Sequence, residues 1–424
     1  MLLASILLAG TLRVPPDSLP PPVRLADLLA AVEAHSPELA AARAEQLAAE
    51  ARVGPVSRLP DPRLQLGLMN RTLPGLGKRS VLAMDQVQLV QMVPVPGKLG
   101  AAAASARARV GVSTAAIEER RLSLRFRAAD DFFELDRVDR SLVALQHTSL
   151  LLREIEGVVR ARYGVGSGRQ ADVLRAQVEL ARLEEEQTTM RAMRAGATAR
   201  LNALLSFPAG QPFPAVSSPC LPESLPSPAT LLDAALRGNP ALAAGRARLA
   251  AAQADRRVAS LERWPDFELG VAYGQQPMLA GPGTERMLSL MVGTTLPIWA
   301  GSRQGSLRRE AAAMTQASEA ELRTAEVELH GKLGELTAMF ERAVRLRRLY
   351  SGTILPQARA AATAALAAYR TASVSLDAVL EGYLTISRYE LQLITLEAEQ
   401  ARAAAGIEAL TGLDLMNPNR AGAP

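Results

Sequence analysis

Few residues of this chain have both the type and the spacing that chemistry requires. Cys220 is the only cysteine, and His35, His147 and His330 are too far apart in sequence to form a ligand-spaced pair. The chain contains no G-x-S-x-G, H-E-x-x-H or P-loop motif. We therefore expect no catalytic site, no cofactor and no metal site, and the protein is predicted not to be an enzyme.

One carboxylate pair has a spacing that could matter. Asp377 and Glu381 are four residues apart, so that both lie on one face if the segment is helical. Ordinary solvated charges near a helix start explain the pair equally well. Asp172 stands at the start of another predicted helix, where the helix dipole alone explains an acidic residue.

The charge balance gives no sign of a nucleic-acid partner. The formal net charge of +5 results from 48 basic and 43 acidic residues that are mixed along the chain. Because aromatic residues are not interleaved among the basic ones, the pattern indicates a solvated surface.

The N-terminus has the composition of an export signal. Residues 1–10, MLLASILLAG, resemble the apolar region of a secretory signal peptide, although no Lys or Arg precedes them. A frayed apolar terminus is the alternative. Thr11 stands where a lipidated cysteine would follow, so no lipid anchor is predicted. No run of eighteen apolar residues occurs after this segment, so no transmembrane helix is predicted.

The chain is internally duplicated. Residues 28–44, LLAAVEAHSPELAAARA, match residues 231–247, LLDAALRGNPALAAGRA. A strand that stops at prolines and leads into a long helix occurs at residues 81–100 and again at 288–305. Each half also has a second, earlier strand with alternating apolar residues. The apolar positions of the four strands include Leu64, Leu66, Val87, Leu89, Leu269, Val271, Leu290 and Val292.

Long helical hairpins fill the rest of each half. The chain has no proline from Lys98 to about Tyr163, which allows a helix of roughly 100 Å with apolar residues at heptad spacing. Glycines break it near Val165, and Gly352 and Pro356 interrupt the corresponding helix of the second half. The predicted organisation is a leader (1–22), a first repeat (23–206), a proline-rich strap (207–228), a second repeat (229–415) and a disordered tail (416–424).

This organisation predicts a mainly α fold with a small β part. Four strands are too few to close a barrel, and an open edge in lipid would leave backbone donors unpaired. Three copies would supply twelve strands, enough for a closed outer-membrane barrel that is continued by a bundle of long helices. Such an assembly would form a tunnel.

The chain resembles the TolC-type outer-membrane efflux proteins over nearly all of residues 25–415. The motifs that carry the resemblance are PDPRLQLGL, QMVPVPGKLG, TTLPIWAGSRQG, ILPQARAA, YGVGSGRQADVLRAQ and YRTASVSLDAVLEGY. The resemblance implies a homotrimer with an outer-membrane β-barrel and a periplasmic α-helical barrel. It also implies docking to a periplasmic adaptor and an inner-membrane pump. Within the family, PDPRLQLGLMN and PVPGKLG are most similar to the heavy-metal cation branch.

The resemblance implies three sets of site residues. Asp377, Glu381 and Asp172 would form a periplasmic gate, and packing or basic neighbours such as Arg370 would offset the repulsion between the carboxylates. The eight apolar strand positions named above would face outer-membrane lipid. The hairpin tips would contact the adaptor through Val165, Gly166, Ser167, Gly168, Thr371, Ala372, Ser373 and Val374.

Two alternatives remain at this point. The methionines near the strands suggest soft-metal contacts, but lipid-facing or gap-filling side chains explain them more simply. They are Met69, Met84, Met92, Met278, Met287 and Met291. A periplasmic coiled-coil scaffold or an adaptor-like binding protein would explain the heptads, but not the four strands with their matched proline junctions.

Overall fold

The computed structural model describes residues 21–71, 82–218, 221–278, 281–371 and 373–416. Most of the predicted leader and tail lie outside the described residues. The described residues fall into two compact units. The strand unit comprises Ala41–Ile117 and Ala241–Ala325, and the hairpin unit comprises 21–40, Glu118–Pro240 and 326–416. Each unit takes segments from both predicted repeats, so the repeat boundaries stay a prediction.

The order of the elements confirms the duplication. The first half contains α1 (Leu25–His35), α2 (Pro37–Val56), β1 (Arg63–Met69), β2 (Met84–Val93), α3 (Lys98–Gly164) and α4 (Gln170–Leu204). The second contains α5 (Pro228–Gly238), α6 (Pro240–Leu261), β3 (Phe267–Pro277), β4 (Thr284–Thr294), α7 (Gly305–Leu349), α8 (Leu355–Arg370) and α9 (Leu376–Thr411). The helix pair α7 and α8 corresponds to the continuous α3.

Local sequence explains where the helices begin and bend. Ser227 caps α5 by accepting a hydrogen bond from the Thr230 backbone N–H, and Pro228 occupies the first helical position. The predicted interruption between α7 and α8 is a π-helical turn over Tyr350–Ile354, and a second π-helical turn, Ala300–Gln304, precedes α7. In the described part of the chain, no helix is both long and apolar enough to cross a membrane.

The four strands of the strand unit form one antiparallel sheet in the order β1-β2-β3-β4. Leu64 pairs with Leu89, Leu89 with Val271, and Val271 with Leu290. Since side chains alternate between the two faces of a strand, this row and every second row beside it share one face of the sheet. The four strands and their phase were predicted, and the structure confirms them.

The core of the hairpin unit follows the predicted heptads of α3. Leu124, Val138, Leu145, Leu152 and Val159 are spaced by multiples of seven and all are buried. Asp131, which interrupts this series, pairs with Arg200 of α4 at 2.5 Å. The charge of Asp131 is therefore balanced by an ion pair between α3 and α4, the two helices of the first hairpin.

The predicted strap (207–228) is held to the helices by polar contacts. The Ser218 hydroxyl donates to the Asp136 carboxylate at 2.6 Å, and the Gln400 side-chain amide donates to the Pro222 carbonyl at 2.6 Å. Burial raises the pKa of Asp136 despite this hydrogen bond. The strap is thus an ordered part of the hairpin unit where the structure describes it.

Candidate functional site

The central rows of one face of the sheet are apolar and exposed, whereas an outer row of the same face contains Asp85, Gln275 and Arg286. The eight strand residues predicted to face lipid share this face in the pairing register, and their exposed fractions range from 44% to 79%. Tyr273 and Leu288 extend the same face in the row that also contains Leu66 and Val87. A contiguous exposed apolar surface of this kind marks contact with lipid or with another protein.

The opposite face, called the polar face below, combines glutamines, charged residues and small residues with methionines. Gln65, Gln88, Ala272 and Ser289 form one row across the four strands. Arg63 and Glu268 form an ion pair of 3.0 Å on this face. The difference between the two faces is what a wall between lipid and water requires.

The strand methionines lie on the polar face. The register places Met69, Met84, Met92, Met287 and Met291 in the phase opposite to the leucines, so the interpretation of these residues as lipid-facing is wrong. Several of them cover glycines. A Cβ added to Gly274 would lie 3.0 Å from the Met84 sulfur, and one added to Gly270 would lie 3.4 Å from the Met291 methyl group. Gap filling therefore accounts for Met84 and Met291.

The first hairpin tip is closed by a glycine in the left-handed conformation. The N–H of Ser167 donates to the carbonyl of Arg162 at 2.9 Å, and the N–H of Gly166 donates to that of Tyr163 at 3.0 Å. With φ of 75° at Gly166, this is the Schellman pattern that ends many helices. A Cβ on Gly168 would lie 2.9 Å from the Tyr163 nitrogen, so this position has no room for a side chain. Val165 is 80% exposed.

The second hairpin tip repeats the outer hydrogen bond of the first. The N–H of Ser373 donates to the Ala368 carbonyl at 2.9 Å, and the Thr371 hydroxyl donates to the same carbonyl. Thr371 and Ser373 are exposed, whereas Val374 packs partly against the apolar core. Ala372 lies outside the described residues.

Two arginines that sequence reasoning missed connect the hairpins. The Arg162 guanidinium lies 4.9 Å from the centre of the Tyr369 ring and donates to the Tyr369 carbonyl at 3.3 Å. Arg175 of α4 pairs with Asp377 of α9 at 2.8 Å. Both contacts join the first hairpin to the second, and nothing in the local sequence around either arginine indicates its partner.

The predicted gate residues lie near the start of α4 and α9. Asp377 lies in the first turn of α9, and Glu381 pairs with Arg388 at 2.8 Å on the same helix. Within the chain the basic partners of these carboxylates are thus Arg175 and Arg388. The role expected for Arg370 concerns the assembled gate and stays a prediction. Asp172 is in the first turn of α4, three residues before Arg175. Asp377 and Glu381 are exposed and each is paired with an arginine of the same chain, whereas Asp172 is half-buried.

Three comparisons identify what this chain is similar to. The model of the family described as outer membrane efflux protein matches residues 28–206 and 231–413. Protein CyaE of Bordetella pertussis is 30% identical over 220 residues, a stretch that covers 49% of this chain and 45% of that protein. The chain thus spans about half the length of that curated relative.

Solved structures show the same fold. The outer-membrane channel OprN matches with a TM-score of 0.77 at 18% identity, covering 92% of this chain and 90% of that one. The outer membrane protein VceC of Vibrio cholerae matches with a TM-score of 0.75 at 17% identity, covering 91% of this chain and 96% of that one. Since the family model covers most of the sequence, the chain belongs to the outer membrane efflux protein family and lies in the outer membrane, extending into the periplasm.

Proposed function

We propose that this protein is the outer-membrane channel of a tripartite efflux system. In such a system a periplasmic adaptor and an inner-membrane pump pass substrates to the channel, which releases them outside the cell. The observation that carries the proposal is the sheet with one exposed apolar face and one polar face, joined to long helical hairpins. Membership of a channel family supports it and is consistent with a protein that is not an enzyme.

The proposal requires three copies of the chain. β1 and β4 are the two edges of the sheet, and among the residues that the structure describes each is paired on one side only. In a bilayer the unpaired N–H and C=O groups of these edges would each cost several kcal/mol. Pairing β4 of one copy with β1 of the next removes both edges and closes twelve strands into a barrel.

The smallest folded form in detergent is therefore expected to be a trimer. Protein extracted from the outer membrane should migrate as a heat-modifiable trimer and lose its β signal when the trimer dissociates. Native mass spectrometry measures the number of chains in the complex, and circular dichroism measures its β content. A monodisperse monomer with full β content would contradict the proposed assembly.

We propose that Asp377 and Glu381 act at a periplasmic constriction, with Asp172 nearby. Three copies would bring six of these carboxylates towards one axis, where their repulsion raises the cost of closing. The pairing of Asp377 with Arg175 and of Glu381 with Arg388 offsets this repulsion within each chain. The exposed tips next to these residues would be the contact with the adaptor.

Replacing Asp377 and Glu381 with alanine should change the single-channel conductance and its dependence on cations. The assembly should not change, because both carboxylates are exposed. Planar-bilayer recordings test the first expectation, and gel migration of the trimer tests the second. Glu335→Ala is a suitable control, since Glu335 is another exposed carboxylate, paired with Lys332 at 2.9 Å. If the double variant conducts as the control does, the two residues are solvated charges only.

The alternative of a periplasmic scaffold or adaptor-like protein is less well supported. It gives no reason for a sheet with an exposed apolar face or for the family match. Similarity to solved structures at 18% identity or below carries the fold only. Four of the six methionines that could have favoured a metal cargo lie over glycines: Met69, Met84, Met278 and Met291.

A further inference from the structure

One aspartate, Asp266, forms hydrogen bonds and an ion pair with the segment in which β2 leads into α3. The Asp266 carboxylate accepts from the Lys98 ammonium at 2.9 Å and from the Val95 N–H at 3.3 Å. Lys98 also donates to the Trp264 carbonyl at 2.9 Å, and only 10% of its side chain is exposed. Asp266 belongs to the second repeat and Lys98 to the first. This contact, which lies inside the strand unit, therefore joins the two repeats of one chain.

The duplication defines which residues are equivalent to this pair. Pro60-Asp61 precedes β1 as Pro265-Asp266 precedes β3, an offset of 205 residues. The Lys98-Leu99-Gly100 start of α3 corresponds to Arg303-Gln304-Gly305 at the same offset. Burial supports this alignment of α3 with α7. At an offset of 205 the buried residues Leu124, Ala128, Leu135 and Val138 correspond to Leu329, Leu333, Phe340 and Ala343, all of them buried.

The sheet gives the same equivalence, with one local difference. Leu64 pairs with Leu89 in the first repeat, and Leu269 pairs with Val292 in the second. Matching β1 to β3 at an offset of 205 thus matches β2 to β4 at 203. The segment between β4 and α7 is therefore two residues longer than the segment between β2 and α3. The π-helical turn Ala300–Gln304 lies in this segment and accommodates the two extra residues.

The equivalent acid and base have no such partner inside the chain. Among the described residues, the side chains of Asp61 and Arg303 make no ion pair or hydrogen bond, and both residues are exposed. Asp61 precedes the edge strand β1, and Arg303 follows the edge strand β4. The two charges are opposite, and they stand at the two edges that remain unpaired in one chain.

We propose that Arg303 of one protomer pairs with Asp61 of the next, as Lys98 pairs with Asp266 within a chain. The second copy would bind β4 through its β1 in the register that β3 uses on β2. Leu89 pairs with Val271 inside the chain, so Val292 would pair with Leu66 of the neighbour. Arg303 would then also lie beside the Leu59 carbonyl of the neighbour, the equivalent of the Trp264 carbonyl. This inference rests on the trimer proposed above and adds its register and its ionic contact.

Cross-linking between two differently tagged chains tests the contact. Cys220 is first replaced by serine, and one chain then carries Asp61→Cys while the other carries Arg303→Cys. Because neither chain has two cysteines, any product of a short bis-maleimide must join two chains. We expect covalent dimers from the mixed trimers and none from either variant alone. A chain with both Lys98→Cys and Asp266→Cys is the matched control, and its cross-link should stay within one chain.

Charge reversal gives a second, independent measurement. Asp61→Arg and Arg303→Asp should each lower the temperature at which the trimer dissociates, by about 2 °C or more. The double variant Asp61→Arg/Arg303→Asp should regain most of the loss. Arg303 also lies near Glu262 of its own chain, in an open groove. If Glu262 were its partner, Asp61→Arg would have little effect and the double variant would not recover.

The outcomes separate this inference from the proposed function. A stable wild-type trimer without the mixed cross-link would overturn the Arg303–Asp61 contact and leave the channel proposal in place. A wild-type protein that remains monomeric would contradict both. A cross-link together with recovery in the double variant supports the contact and its register.

Discussion

Arginine at Leu290 is expected to reduce the yield of assembled trimer in the outer membrane strongly, whereas arginine at Ser289 is not. Leu290 is 79% exposed on the apolar face, in the row that contains Leu64, Leu89 and Val271. Near the middle of a bilayer, a charged residue on the lipid-facing side of a barrel costs about 2–4 kcal/mol. Three copies of the substitution would be present in each trimer.

Ser289 is a matched control because it is adjacent in sequence and lies on the opposite face. It pairs with Ala272 in the polar row, where water can solvate a guanidinium. The measurement is the amount of heat-modifiable trimer in washed outer membranes, together with its dissociation temperature in detergent. Equal losses at the two positions would show that the assignment of the faces is wrong.

The sequence was sufficient to predict which faces the strand residues share. Alternation is a local property, and the copied junctions give each strand a second example of the same pattern. The positions of the methionines in the strands also indicated which face they share. Met84 and Met92 are even-numbered in a strand whose exposed apolar residues are Val87 and Leu89, so their lipid-facing interpretation already conflicted with the phase.

Contacts between the hairpins could not be predicted in the same way. Whether Arg175 meets Asp377, or Arg162 meets Tyr369, depends on how two helices from different halves are rotated about their axes. Heptad spacing defines the buried stripe of each helix but not the partner of a charge at its border. Asp377, for example, pairs across to α4 within the chain, and its own helix gives no sign of this partner.

The tip contacts in the hairpin unit lead to the second large expected effect. Gly166→Trp and Ser373→Trp should each reduce export by the intact system to the level of a strain without the channel, while trimers remain in the membrane. A Cβ on Gly166 meets no atom within 4 Å, so the new side chain would point into open space instead of disturbing the core. There it would prevent another helical hairpin from approaching the backbone closely.

Backbone strain is the competing explanation, and Gly412 controls for it. Gly412 has φ of 73°, close to the 75° of Gly166, and a Cβ there also meets no atom within 4 Å. The left-handed conformation costs an L-residue roughly 1–2 kcal/mol at either position. Gly412 follows the C-terminal end of α9, a helix of 36 residues and about 54 Å, whereas Ser373 precedes its N-terminal end. Gly412→Trp therefore applies the same strain far from the tip.

Export of a pump substrate from whole cells and the amount of membrane trimer are measured for all three variants. Docking at the tips predicts full trimer in every case and loss of export only for Gly166→Trp and Ser373→Trp. Loss of export in Gly412→Trp as well would indicate general destabilisation. Normal export in both tip variants would place the contact with the adaptor elsewhere on the hairpins. If only one tip variant loses export, the six tips of the trimer are not equivalent, and the adaptor distinguishes the first hairpin from the second.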